Sequence, residues 1–255
     1  MILNRIAKTL MSGNWGTIVA EVLIVVVGIF LALQVDDWNN SRKDRIRETR
    51  YLERLYDELD RDIENISESL NIQISRRDMG RFLLDTIDKP ELVRSDPSLF
   101  IRSILQAAFT RFPPISDSTF EELKFNGDMA IIQDESLRGS LSGYYARIER
   151  YFQVRIGSQN QTQKSYGDAR LGILDPEHLW QMMAVGPNSR IGLDFSEEEA
   201  WFAYERMLER PAFIAEISRG SNHGLEIRTY TSWAEDAKNL RGAIGNLLDL
   251  TADPN

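Results

Sequence analysis

Hydrophobic positions along the chain fall into two regimes. Between Trp15 and Trp38 they are almost continuous (WGTIVAEVLIVVVGIFLALQVDDW), and from Leu52 onward they recur every three or four residues among charged ones. The uninterrupted part of the first regime, Val22 to Leu33, is short of a full membrane span. Adding Gly16 to Ala20 and tolerating Glu21 extends it to about twenty residues, roughly 30 Å of helix. Residues 15–38 are therefore expected to form one transmembrane helix, with Trp15 and Trp38 as anchors at the two interfaces. A cleaved signal peptide fits less well, because Phe30, Leu31, Leu33 and Gln34 around Ala32 make a poor cleavage site. Residues 1–14 read as a short amphipathic segment, with ILNRIAKTLM lying on the surface behind the anchor.

The second regime is helical. Neither proline nor glycine occurs between Val35 and Met79, so the anchor is expected to continue as a helix well beyond the membrane. Leu52, Tyr56, Leu59, Ile63, Ile66 and Leu70 run four, three, four, three, four, a coiled-coil type of seam. Three heptads are a minimal coiled coil, so packing within a bundle of the same chain is the preferred reading over a self-dimer. Asp96-Pro97 supplies a cap and a first-turn proline for a helix from Leu99 to Phe109. Arg111 to Asp117, with Pro113 and Pro114, reads as a loop. Ser118 to Glu121 and Ser196 to Glu199 fit capping boxes, and the helix opened by the first is expected to stop near Gly127. Leu137, Leu141, Tyr144, Ile148 and Phe152 mark another helix face. Asp175-Pro176 is expected to restart a helix towards Met183, and Pro211 to end or kink the one before it. Tyr230, Trp233, Ala237, Leu240, Ile244 and Leu247 mark a final helix, able to lie against residues 50–74 and close the bundle. Strand signals are scarce. The expected fold is mainly α: a transmembrane helix continuing into a long helix, then one acidic helical domain over 39–255 with a looser insertion between Gly157 and Gly192.

Glu21 is the polar exception inside the apolar run. A carboxylate there is costly unless it snorkels to the interface or finds a partner. Glu21, Val25, Gly28 and Ala32 share one helix face, and Gly28 and Ala32 form a small-xxx-small pair that lets helices approach closely in lipid. The expectation is that this face meets another helix, of the same or another protein, with Glu21 protonated or paired there.

Charge narrows the partners. A formal net charge of -9 disfavours nucleic acid, whose phosphates need a basic face. The absence of cysteine removes disulfides, thiol catalysis and zinc-thiolate sites. Orientation is divided. Arg42, Lys43, Arg45, Arg47 and Arg50 after the span outnumber Arg5 and Lys8 before it, but Asp36 and Asp37 are the nearest downstream charges.

The stretch from Glu21 through Gly28-Ile29-Phe30-Leu31-Ala32-Leu33-Gln34 to Asp36-Asp37-Trp38-Asn39 resembles the start of a family of uncharacterised bacterial single-pass membrane proteins. Thr119-Phe120-Glu121-Glu122-Leu123, continuing through Gly127, Ile131-Ile132, Leu137 and Tyr144-Tyr145, is a second match. The two blocks cover about a quarter of the chain. The resemblance carries no activity; it implies a bacterial inner-membrane anchor with a periplasmic soluble domain.

Catalytic motifs are missing: GxGxxG, GxxxxGK, HExxH and GxSxG do not occur. His178 reads as a capping or surface residue at a helix start, and His223 as part of a helix break. Asp57, Glu58, Asp60, Asp62 and Glu64, interleaved with Arg54 and Arg61, read as a solvated helix face, as do Glu197 to Glu199. Tyr144-Tyr145 and Tyr151-Phe152 read as core. No cofactor or metal is implied. The leading expectation is a non-enzymatic, membrane-tethered protein-interaction or scaffold module, working through self-association or other proteins. An alternative is a sensor-like bundle taking a small ligand among aromatics and polar groups such as Arg147 or Arg150. A carboxylate or metal-dependent hydrolase is the third.

Overall fold

The computed structural model of the chain describes residues 15–177 and 194–252. The amphipathic segment 1–14, His178 and the helix expected towards Met183 lie outside the described residues. No strand occurs among the described residues.

One helix organises the rest. α1 runs unbroken from Trp15 to Asp88, 74 residues, about 110 Å at the α-helical rise. Every side chain described between Trp15 and Arg47 is exposed, and this part of the helix is long and apolar enough to cross a membrane. Burial begins at Tyr51 and Leu52. The stop comes at Pro90, which heads the short helix α2 (Glu91–Ser95).

Among the described residues, seven further α-helices and one 3-10 turn are arranged along the buried part of α1. α3 (Pro97–Gln106) starts as expected: Pro97 stands in its first turn and the Asp96 carboxylate accepts from the Leu99 amide at 2.8 Å. α4 (Ser118–Asn126) ends at Gly127, whose φ of 70° closes the helix with a left-handed residue. Its start differs from expectation. Ser118 does not form a capping box; its hydroxyl donates to Glu58 on α1 instead, at 2.6 Å. A 3-10 turn (Asp128–Ile131) leads to α5 (Glu135–Ala169). α5 extends straight through Gly157, so helix occupies the first part of the expected looser insertion. α6 (Glu197–Leu208) opens with a complete Ser196/Glu199 capping box. Pro211 is the first residue of α7 (Pro211–Gly220), and α8 (Gly224–Ala252) is the last of the described helices.

α8 lies antiparallel along α1. Gly245 meets Tyr56, Asp60 pairs with Arg241 at 2.8 Å, and the N-terminal turns of α8 reach the level of Arg76. Leu52, Leu59 and Ile66 are fully buried in the resulting core, with Tyr56, Ile63 and Leu70 partly buried at its edge. The seam residues are thus covered by the chain's own helices. Leu137, Leu141, Tyr144 and Ile148 of α5 and Trp233, Ala237, Leu240 and Ile244 of α8 complete this first core. A second core forms at the far end of α1, where Leu83 joins Phe100, Ile104, Tyr166, Met207, Phe213 and Ile217 from α3, α5, α6 and α7.

The two cores are held in register by a close approach at Gly80. A β-carbon there would lie 2.1 Å from Ser221 Cβ and 2.3 Å from Ser221 Oγ, so only glycine lets the junction of α7 and α8 rest on α1. Gly80→Ala is expected to destabilise the fold by about 1–3 kcal/mol through overpacking. Gly139→Ala, where the added methyl meets nothing within 4 Å, should be neutral or stabilising by up to about 1 kcal/mol. Denaturant unfolding of the full chain in detergent distinguishes the two.

Candidate functional site

Where α1 first enters the bundle, polar side chains clamp it. Arg47 pairs with Asp128 at 2.5 Å, Arg54 with Glu122 at 2.7 Å, and Glu48 accepts from the Gln133 amide at 2.6 Å. One turn further, two acids are buried that the interleaved charge pattern marks as solvated. Glu58 accepts from the Ser118 hydroxyl and from the Thr119 amide and hydroxyl, and Asp62 accepts from the Ser116 amide at 2.8 Å and from Tyr144. They face inward because the loop before α4 and the first turn of α4 have amides without helical partners, and α1 supplies the acceptors. Burial pushes the Asp62 carboxyl up to about 7, with the Ser116 amide and Tyr144 hydroxyl opposing only in part. Both acids are engaged in holding a loop. Asp57, Asp60 and Glu197 stay exposed as expected, and no metal-binding group of three His, Asp or Glu occurs among the described residues.

Between the two cores the buried stripe of α1 changes character. It reads Leu52, Leu55, Leu59, Asp62, Ile66, then Ser69, Gln73, Arg76, Gly80 and Leu83, all buried. α5 changes in the same way: Tyr151, Arg155 and Gln159 stand between Ile148 and Tyr166. Glu226 and Tyr230 of α8 and His223, in the turn before it, complete a polar layer across the bundle.

The layer has a backbone reason. Residues 107–111 leave α3, buried at Ala107 and Ala108 and half-buried from Phe109 to Arg111, without helical partners for their carbonyls. A buried carbonyl left unpaired is costly, and side chains of the layer serve almost the whole run. His223 Nε2 lies 2.7 Å from the Ala107 oxygen, Arg76 donates to Phe109 at 3.2 Å, Gln163 to Thr110 at 3.3 Å and Tyr230 to Arg111 at 2.9 Å. A carbonyl only accepts, so His223 carries its proton on Nε2. Burial lowers the His223 pKa, and Arg76 adds to the effect against the Ala107 bond and Glu226. Its backbone sits at φ 46°, consistent with the helix break read there. Gln159 accepts from the Thr110 hydroxyl at 3.0 Å and donates to Glu226 at 2.8 Å, and Glu226 also takes a salt bridge from Arg155.

Several polar groups remain over after these bonds. Ser69 Oγ, both amide atoms of Gln73, Arg76 Nε, Arg111 Nε, Tyr151 Oη and Arg155 Nε are buried without a well-formed hydrogen bond. Ser69 and Gln73 are fully buried and Arg76 is 5% exposed. Desolvation, reinforced by Arg111, brings the Arg76 guanidinium down to about 10, with Tyr230 opposing. Arg147 and Arg150, the polar groups suggested for a ligand site, are not in this layer: Arg147 pairs with Asp236 at 2.8 Å at the surface, and Arg150 is exposed. The seam spacing carried past Leu70 reaches Gln73, but Ser69 and Arg76 lie one residue off it, on the neighbouring stripe of Leu55, Leu59, Asp62 and Ile66, where a charged helix gives no sign of burial.

The apolar segment is the other candidate surface. Glu21, Val25, Gly28 and Ala32 are all exposed, and a β-carbon at Gly28 would meet nothing within 4 Å. Trp15 and Trp38, 68% and 67% exposed, stand at its ends.

Residues 21–167 match the model of a family of unknown function, DUF6090. The match begins at Glu21 and ends in the last turn of α5, so it takes in the free helix face and the α1 and α5 parts of the polar layer. No curated protein and no solved structure matches the chain.

The buried acid gives a pH signature. The folded Asp62 carboxyl keeps its proton to about pH 7, whereas the unfolded one releases it near 3.8. Its folded pKa is raised, so the stability it contributes falls as pH rises from about 4 to 7. Asp62→Asn should remove up to about 1.4 kcal/mol per pH unit of that slope. Urea unfolding at several pH values checks this; an unchanged slope would assign the dependence to other groups.

Proposed function

We propose that this chain, which belongs to the DUF6090 family of unknown function, is a membrane-tethered, non-enzymatic helical module that works through contacts with other proteins, itself included. One observation carries the reading: a single helix joins an exposed apolar segment to a folded core without a hinge. A partner gripping the anchor face, or the domain, would be coupled to the other end by a stiff rod. The face Glu21, Val25, Gly28 and Ala32 supports the contact. It combines a small-residue pair, which allows close packing in lipid, with a carboxylate that gains from a partner there. The soluble domain carries most of the negative charge, which disfavours nucleic acid as its partner. The proposed setting is a bacterial inner membrane with the domain in the periplasm.

A second reading has its own observation. The unpartnered buried groups around Arg76 favour a sensor-like bundle that takes a small ligand between its helices, coupled through α1 to the membrane.

Because the chain has no cysteine, introduced thiols report alone. Gly28→Cys and Ala32→Cys are expected to cross-link in membranes under mild oxidant, several-fold more than Val26→Cys on the opposite face. Glu21→Gln and Gly28→Leu should each weaken cross-linking at Ala32→Cys. Equal cross-linking on both faces, or patterns unchanged by both substitutions, would refute the contact. Reporters fused after residue 255 test orientation: activity of a reporter that works only outside the cytoplasm supports a periplasmic domain, and its absence overturns it.

A further inference from the structure

We propose that the polar layer binds a small, acceptor-rich anion, a carboxylate or an oxyanion, held by Arg76 with Gln73 and Ser69. The proposal rests on the ligand-binding reading above and gives that ligand its chemistry.

Charge is the first argument. Arg155 is paired with Glu226, and Arg111 lies 3.6 Å from the exposed Glu68. Arg76 has no salt bridge among the described residues; its one hydrogen bond goes to the Phe109 carbonyl. Three guanidinium groups against Glu226 and Glu68 leave one positive charge in excess, and Arg76, 5% exposed, is the group without a carboxylate. His223 does not add to the sum, because burial favours its neutral form. Water could fill the missing hydrogen bonds, but it cannot neutralise a buried charge. An anion does both.

The second argument is the kind of valence left open. Arg76 Nε, Arg111 Nε and Gln73 Nε2 can only donate, and the hydroxyl of Ser69 can donate. Against them stands one obligate unpartnered acceptor, Gln73 Oε1. The partner that satisfies such a set is rich in acceptors, and the planar guanidinium edge suits carboxylate and oxyanion geometry. Ser69, Gln73 and Arg76 follow one another on a single face of α1. The third argument is access: the side chains of Arg111 and Arg155 are 34% and 27% exposed, so they link the layer to solvent.

The test uses the full chain in detergent micelles and follows thermal unfolding in sodium phosphate, sodium acetate and sodium chloride at matched ionic strength. Phosphate or acetate should raise Tm by several degrees, saturably and beyond chloride; which of them acts separates oxyanion from carboxylate. Arg76→Met should abolish the response whichever way the anion-free Tm moves, since it removes both an uncompensated buried charge and the donor to the Phe109 carbonyl. Gln73→Leu should weaken the response several-fold, and it decides the matter if the Arg76 variant fails to fold. A shift that persists undiminished in these variants is a general salting effect and overturns the proposal, as does no shift beyond chloride. Stabilisation by uncharged small molecules alone would overturn it while leaving the ligand-binding reading standing.

Discussion

The fold depends on the continuity of one helix. α1 passes from an exposed apolar segment through a polar clamp, a first core, a polar layer and a second core without a break. Everything else is arranged along it. α8 returns antiparallel beside it, α5 closes the first core, and the small helices α2, α3, α6 and α7 gather around its far end. Over the folded part, most of its stability comes from packing of its buried stripe against the other helices and less from propensity. The exposed part is long and apolar enough to cross a membrane.

The polar layer is where the two cores meet, and its origin lies in the backbone. A chain that leaves α3 and runs against the bundle brings carbonyls that have no helical donor. His223, Arg76, Gln163 and Tyr230 answer that demand. Glu58 and Asp62 answer the matching demand for acceptors a few residues later, where the chain enters α4. Both sets look like surface charge in a sequence and behave as interior fittings in the fold. Once the backbone is satisfied, the surplus on α1 is donor-rich and cationic, which sets the residue of Arg76 apart from the other fittings.

Placing the layer on α1 also gives the two halves of the molecule a common element. A change in hydrogen bonding at Ser69, Gln73 and Arg76 acts on the same helix that carries Glu21, Val25, Gly28 and Ala32. Gly80 sits one turn beyond Arg76 and holds α7 and α8 against the helix. An apolar core lies on either side of the layer, while the layer itself has unmet valences.

What the sequence determined by itself is the local physics: the apolar span, the long helix without proline, the caps at Asp96 and Ser196, the stop at Gly127 and the pairing of the last helix with residues 50–74. These follow from spacing, capping chemistry and backbone preference, all readable over a few turns. Tertiary structure alone decided which charged residues go inside. Asp62 and Asp60 are two positions apart, yet one is buried against the Ser116 amide and the other pairs with Arg241 at the surface. The same holds for Ser118, a plausible cap diverted to Glu58, and for Arg76, drawn inward by the Phe109 carbonyl. Local pattern cannot register these choices, because the need they meet belongs to a backbone segment more than thirty residues away.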